Sequence, residues 1–370
     1  MDDSYLSLLN EIGAEPLPTE MMLEGDGMYQ QIAHIYQQHV DAFREALLPS
    51  MKQIHISMFY GTRFNAIAAT DRKGENSIIG FNHALLLLLF DITHSLLARN
   101  DVLIGFGEPN LERSDTYTFT TDLSTQIQGN ESFDVTLPQA MPRCPERLLA
   151  ARALFAVALD FVFLHELSHI LGGHTRHPIV RGFAEGMFNA TTSKSISASE
   201  RACLFHAFEA DADWFAFRLL ISMSHNNQAL LPAFGERDWT LEQRLSWASI
   251  GTLLVLYFSD TVGKHWDICL NRTHPHPLVR QITLRDFFLE GIGEFEEQTK
   301  YEPLFDAALK EVQKLEQLNL VPHCLSRVND QIHNDVQDWI SEVVEKQQSL
   351  QKGLRAQGLD ARMMEGINVN

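Results

Sequence analysis

The strongest helical pattern lies over residues 28–50, where Tyr29, Ile32, Ile35, Tyr36, Val40, Phe43 and Leu47 recur three or four residues apart. Three short β-like runs follow: QIHISMFYG (53–61), RFNAIAAT (63–70) and NSIIGF (76–81), with the turn signal DRKGE between the last two. They predict a small antiparallel sheet. A helix over about 82–98 comes next. Residues 100–145 are rich in Gly, Pro, Ser, Thr and Asn and hold two further candidate strands, TYTFTTDL (116–123) and SFDVTL (132–137). From Pro145 the chain reads as almost all helix. Segments at about 146–172, 199–223, 240–264 and 277–290 are predicted, with an amphipathic helical tail from 303. Gly172–Gly173 stops the first of them. The expected fold is α+β, mostly α: an N-terminal subdomain with a small sheet (1–145), a helical core (146–295) and a helical C-terminal extension (296–370).

Three apolar runs test the alternative of membrane spans. ALLLLLF (84–90) and ASIGTLLVLYF (248–258) are short, and LLAARALFAVALDFVFL (148–164) carries Arg152 and Asp160. A spanning helix needs about 20 predominantly apolar residues. All three are expected as buried core helices, with no transmembrane span. The formal net charge of −19 disfavours binding to nucleic acid or anionic membranes. Cys144, Cys203, Cys269 and Cys324 form no CxxC pair, and MDDSYLSLLNEIG has neither a basic nor an apolar signal region. Free thiols and a cytoplasmic location are the expectation. Oligomeric state is not legible.

One stretch breaks the apolar pattern. DFVFLHELSHILGGH (160–174) sets His165, Glu166 and His169 in the middle of an apolar helix. Burying such groups without partners costs roughly 2–7 kcal/mol each. The spacing HExxH offers a reason. Residues four apart share a helix face, so two imidazoles can meet one tetrahedral ion at about 2.0–2.1 Å. Glu166 is displaced around the helix, beside the metal's water, as a general base. Further on, FEADADWFAFRLL (208–220) reads as a second helix with Glu209 and Asp213 on one face. Glu209 can give a third, carboxylate ligand, and Asp213 can accept the spare N–H of a ligating imidazole. Asp211 points roughly the other way and is expected at the surface. His174 is the alternative third ligand, but it falls one residue short of the HExxHxxGxxH register. His206 is read as a satisfied core or surface histidine, with cleft lining as the other option. His177, His265 and His276 are read as surface or structural.

HELSHILGGH resembles the HExxHxxxGH form of the CAAX prenyl protease and HtpX-like gluzincin metallopeptidases. Glu209-Ala210-Asp211-Ala212-Asp213 resembles their ExxAD element, and THPHPLVR (273–280) their THPxxxxR element. That resemblance implies zinc, a zincin-like core, Glu209 as third ligand, and His274 and Arg280 at the active site. The short strands, the turn and the following helix, ahead of a distant HExxH, are also similar to the soluble Lit phage-exclusion peptidases, which cleave a host translation factor. Both resemblances stand open. The expected activity is a zinc-dependent endopeptidase: zinc on His165, His169 and Glu209, Glu166 as base, and His274 assisting at the oxyanion. A strand edge within 115–137 would dock an extended protein or peptide substrate, and 175–198 would act as a lid. Two rival readings are a non-catalytic or regulatory zinc-binding protein and a helical interaction protein working through 303–350.

Overall fold

Period-two alternation gives the N-terminal sheet two different faces, and each has its own helical cover. The computed structural model describes residues 3–22, 24–48, 51–60, 65–113, 140–177, 198–228, 230–231, 239–259, 275, 279–285, 298–321 and 330–356. Its elements are α1 (Asp3–Ile12), the short α2 (Thr19–Met22), α3 (Glu24–Leu47), β1 (Gln53–Phe59), β2 (Ala66–Thr70), β3 (Asn76–Asn82) and α4 (His83–Leu97). These are followed by α5 (Pro145–Leu171), α6 (Ala198–His225), α7 (Leu241–Ser259), α8 (Gln298–Gln317) and α9 (Asp330–Ala356). Residues 279–285 are also helical. The class is α+β, mostly α.

The strand order is β1-β3-β2. β2 and β3 pair antiparallel as a hairpin, from Ala66↔Phe81 to Thr70↔Ser77. Its turn is tied by Asp71, whose carboxylate accepts the backbone N–H groups of Glu75 and Asn76. β1 pairs parallel to β3, from Gln53↔Asn76 to Phe59↔Asn82. The sheet is therefore mixed, which corrects the antiparallel expectation. β3 takes the centre because Ile78, Ile79 and Phe81 are fully buried and cover both of its faces. Alternation along a strand fixes which face is apolar; it does not fix which strand lies next to which. Ile79 and Phe81, with Ile54 and Met58, face α3 and the main core, whereas Ile78 and Phe59 pack with Leu8 and Leu9 of α1. Gly80 is required there, since a Cβ would overlap the Phe59 ring.

α5 is apolar on nearly every side, and such a helix must be buried all round. It packs against α4, α6, α7, β2 and β3. At Gly251 of α7 a Cβ would sit 3.2 Å from the backbone nitrogen of Ala158, so the absent side chain sets how close the two helices come. Among the described residues α5 is the one helix long and apolar enough to cross a membrane, and 83% of its most apolar window is buried within the protein.

A buried polar pair pins α5 to α3. The Tyr36 hydroxyl donates to Asp160 Oδ1 at 2.8 Å, and the Leu230 N–H donates to Oδ2 at 3.2 Å. The Tyr36 ring also stacks on Phe163 with centroids 4.3 Å apart. Burial pushes the Asp160 carboxyl up to about 7, while the Tyr36 hydroxyl works to lower it. Tyr36→Phe removes that donor from a buried acceptor, with an expected loss of about 1–3 kcal/mol. The folded pKa of Asp160 then lies further above its unfolded value near about 3.9. In that window the folded state binds more protons than the unfolded one, so stability falls as pH rises. The deficit is expected to be larger at about pH 8 than at about pH 5.5 in urea unfolding. Equal deficits at both would contradict the assignment.

Candidate metal centre

One helical turn separates His165 and His169 on α5, and α6 crosses it to bring Glu209 against both. The Nε2 atoms of the two histidines are 3.2 Å apart. Glu209 Oε2 lies 3.4 Å from His165 Nε2, and its Oε1 lies 3.5 Å from His169 Nε2. The three residues offer donor atoms within 4.8 Å of one another, a cluster that could hold a metal ion. Glu166 stands outside the cluster but lines the same cleft.

The far side of His165 is equally organised. Its Nδ1 lies 2.9 Å from Asp213 Oδ1. Asp213 is fully buried and accepts two bonds from Arg280, Nε to Oδ2 at 2.7 Å and Nη2 to Oδ1 at 2.6 Å. Arg280 reaches it from the helical residues 279–285. Burial opposes charge on Asp213, but the guanidinium outweighs it and holds the carboxyl below its usual range. Burial likewise works to lower His165, but Asp213 and Glu209 outweigh it and push the imidazole up to about 10. Glu166 goes up to about 7 through burial, with His165 pulling downward and Glu209 upward. Its carboxylate also accepts the backbone N–H of Ala68 on β2.

The cleft is small, about 60 Å³. His165, Glu166, Glu209 and Arg280 make its polar side, and Ala66, Leu85, Phe161, Val162 and Val255 its apolar side.

One expectation is corrected. Asp211 is not at the surface: it is 2% exposed, and its Oδ2 lies 2.8 Å from His174 Nε2. The side of α6 away from the cluster is covered by α9, whose Gln347 and Gln351 donate to Asp211 Oδ1. His174 is outside the donor cluster. Its Nδ1 lies 3.0 Å from His169 Nδ1, so both of its ring nitrogens are engaged away from Glu209. His206 is a core residue, accepting at Nδ1 from the Trp339 indole at 2.9 Å. His177 is half-buried beside Phe208. His274, His265, His276, the candidate strands 116–123 and 132–137, and the expected lid from residue 178 to 197 lie outside the described residues.

No local pattern marks Gln347 or Gln351, which stand 136 and 140 positions from Asp211. Asp211 was legible as a carboxylate on α6, and only its burial was not.

Two outcomes follow from the geometry. Glu209→Gln is expected to weaken divalent-metal binding by more than the 10–100-fold that loss of an outer partner costs. Chelator competition measures it, and an unchanged affinity would remove Glu209 from the ligand set. Arg280→Met takes the guanidinium from buried Asp213 and leaves it only its contact with His165, with an expected stability loss of about 3–5 kcal/mol in denaturant unfolding.

The family model described as Peptidase U49, a Lit-like metallopeptidase family, matches residues 110–289. That span contains His165, Glu166, His169, Glu209, Asp213 and Arg280, and the match supports a peptidase function. The match agrees with the Lit-type resemblance. No curated protein and no solved structure matches the chain.

Proposed function

We propose that this protein is a zinc-dependent endopeptidase in which His165, His169 and Glu209 hold the metal and Glu166 is the general base. The cluster of two imidazoles and one carboxylate carries the reading. The two Nε2 atoms stand 3.2 Å apart, close to the edge of roughly 3.3–3.4 Å of a tetrahedron built on zinc–ligand distances of about 2.0–2.1 Å, and each faces one oxygen of Glu209, at 3.4 and 3.5 Å. Two imidazoles and one carboxylate form a catalytic zinc set, which leaves a fourth position open. Zinc held there supplies Lewis acidity, lowering the pKa of water towards about 7 and polarising a carbonyl.

The chain's own residues do the rest. Asp213, fixed by Arg280, faces His165 Nδ1 and holds its N–H, so that a bound metal takes Nε2 in place of the proton there. Glu166 lines the cleft with a pKa pushed up to about 7, so at neutral pH it can take a proton from the attacking water. It then returns that proton to the leaving amine. The N–H of Ala68 steadies its carboxylate. Among the described residues β2 is an edge strand of the sheet and Ala66 lines the cleft, so an extended substrate can add to β2 as a further strand. The candidate docking edge within 115–137 lies outside the described residues. The apolar wall of the cleft suits an apolar substrate side chain. His274 keeps its proposed role at the oxyanion.

The test compares wild type with Glu166→Gln in cleavage-site profiling on a whole-protein extract. Glu166→Gln is expected to reduce cleavage by about 10²–10⁴-fold while zinc uptake stays near one per chain. Undiminished cleavage would remove Glu166 as the base, and a wild type without zinc would remove the metal.

A further inference from the structure

The two histidines of the cluster are supported differently. His165 meets a carboxylate directly, at Asp213. His169 meets another imidazole: its Nδ1 is 3.0 Å from Nδ1 of His174. An imidazole pair is ambiguous, because either ring can donate and either can accept. One arrangement leaves the lone pair of His169 on Nε2, towards Glu209. The other puts a proton there and closes that position to a metal.

The next contact removes the ambiguity. His174 Nε2 lies 2.8 Å from Asp211 Oδ2, and both residues are 2% exposed. An ionised carboxylate only accepts, so His174 must carry its proton on Nε2. With a metal on Nε2, His169 carries its one proton on Nδ1 and donates it to His174, whose Nδ1 accepts as the neutral Nε2–H tautomer. The other oxygen of Asp211 accepts from the side-chain amides of Gln351 and Gln347 on α9. Every donor in this chain of contacts faces an acceptor.

The backbone is shaped to make the relay. Gly173 has φ 75°, a left-handed conformation that favours glycine, and it ends α5 by turning the chain into the 3-10 turn His174–Arg176. That turn folds His174 back beside His169. Phe208 of α6 packs on the His174 ring with centroids 4.8 Å apart. α9 is seated over α6 by Trp339, Ile340 and Val343 against Cys203, Ala207 and Ala210, and by Leu354 against Leu204 and Phe208.

We infer that His174 and Asp211 are positioning residues that set the tautomer of His169, and that α9 anchors them through Gln347 and Gln351. The inference rests on His169 being a metal ligand, as in the proposed function. It makes the C-terminal helix part of the metal centre, not an appendage to it.

The test uses the full chain and two readouts that need no substrate: zinc affinity by chelator competition, and the ¹⁵N imidazole signals of the zinc-loaded protein. Asp211→Asn is expected to weaken zinc binding about 10–100-fold, the usual cost of losing an outer partner. In the zinc-loaded protein it turns His174 from a single Nε2–H tautomer into a mixture. His174→Asn places an amide oxygen near the former Nδ1, so the acceptor no longer needs Asp211. It is expected to keep zinc affinity within about threefold of wild type, and adding Asp211→Asn to it costs nothing more. A merely structural role for Asp211 would give the same loss in both backgrounds. That result, or an Asp211→Asn protein with wild-type affinity and one tautomer, overturns the proposal. If Asp211→Asn does not fold, Gln351→Leu serves in its place, with an expected loss of about threefold or more; no loss overturns the anchoring. A wild type that binds zinc but cleaves nothing sinks the endopeptidase reading alone.

Discussion

Charge buried inside an apolar helix pair is the constraint on which this structure turns. His165, Glu166, Glu209, Asp211, Asp213 and Arg280 are all less than one-tenth exposed, between helices whose other residues are mostly apolar. Each would cost several kcal/mol if left without a partner. The structure answers with pairing in both directions from the cluster. Arg280 and Asp213 stand behind His165, and His174, Asp211 and two glutamines stand behind His169. What faces inward is left to two imidazoles and one carboxylate around a common point.

Such pairing works only if the helices are held to within a fraction of an ångström, and much of the remaining fold does that. Arg147, near the start of α5, is fully buried and donates to the backbone carbonyls of Leu97, Arg99, Val102, Leu103 and Phe106. It ties the first turn of α5 to the chain leaving α4. Five residues before His165, Asp160 ties the same helix to Tyr36 of α3 and to Leu230. Beyond Glu166, the edge strand β2 supplies the Ala68 N–H. The helix that carries His165, Glu166 and His169 is thus fastened at its start, at its middle and beside those residues by hydrogen bonds out of reach of water, where they are strongest.

Much of the local structure was legible because its physics is local. The strand runs at 53–61, 63–70 and 76–81 appear as β1, β2 and β3 within a few residues, since period-two alternation and the Asp71 turn are properties of neighbours in the chain. The polar intrusion at His165, Glu166 and His169 was visible for the same reason: it departs from the surrounding helix pattern. Glu209 and Asp213 could be placed on one face of α6 by their spacing. Neighbour order in the sheet was not legible, because β1 would alternate in the same way beside β2 or beside β3. Asp211 was misplaced because a single helix cannot say which of its sides another helix will cover.

The amino-acid sequence by itself determined most of the described elements, the mostly helical class and the residues proposed to bind a metal and move a proton. Those follow from spacings of two, three and four residues, which the backbone geometry converts directly into shared faces. The tertiary structure alone decided which side chains stand behind the ligands. His174 is drawn back by the left-handed Gly173, Asp211 is buried by α9, and Gln347 and Gln351 reach it from more than 130 positions away. Contacts at that separation depend on how whole helices pack, and packing depends on the volume and shape of the entire core.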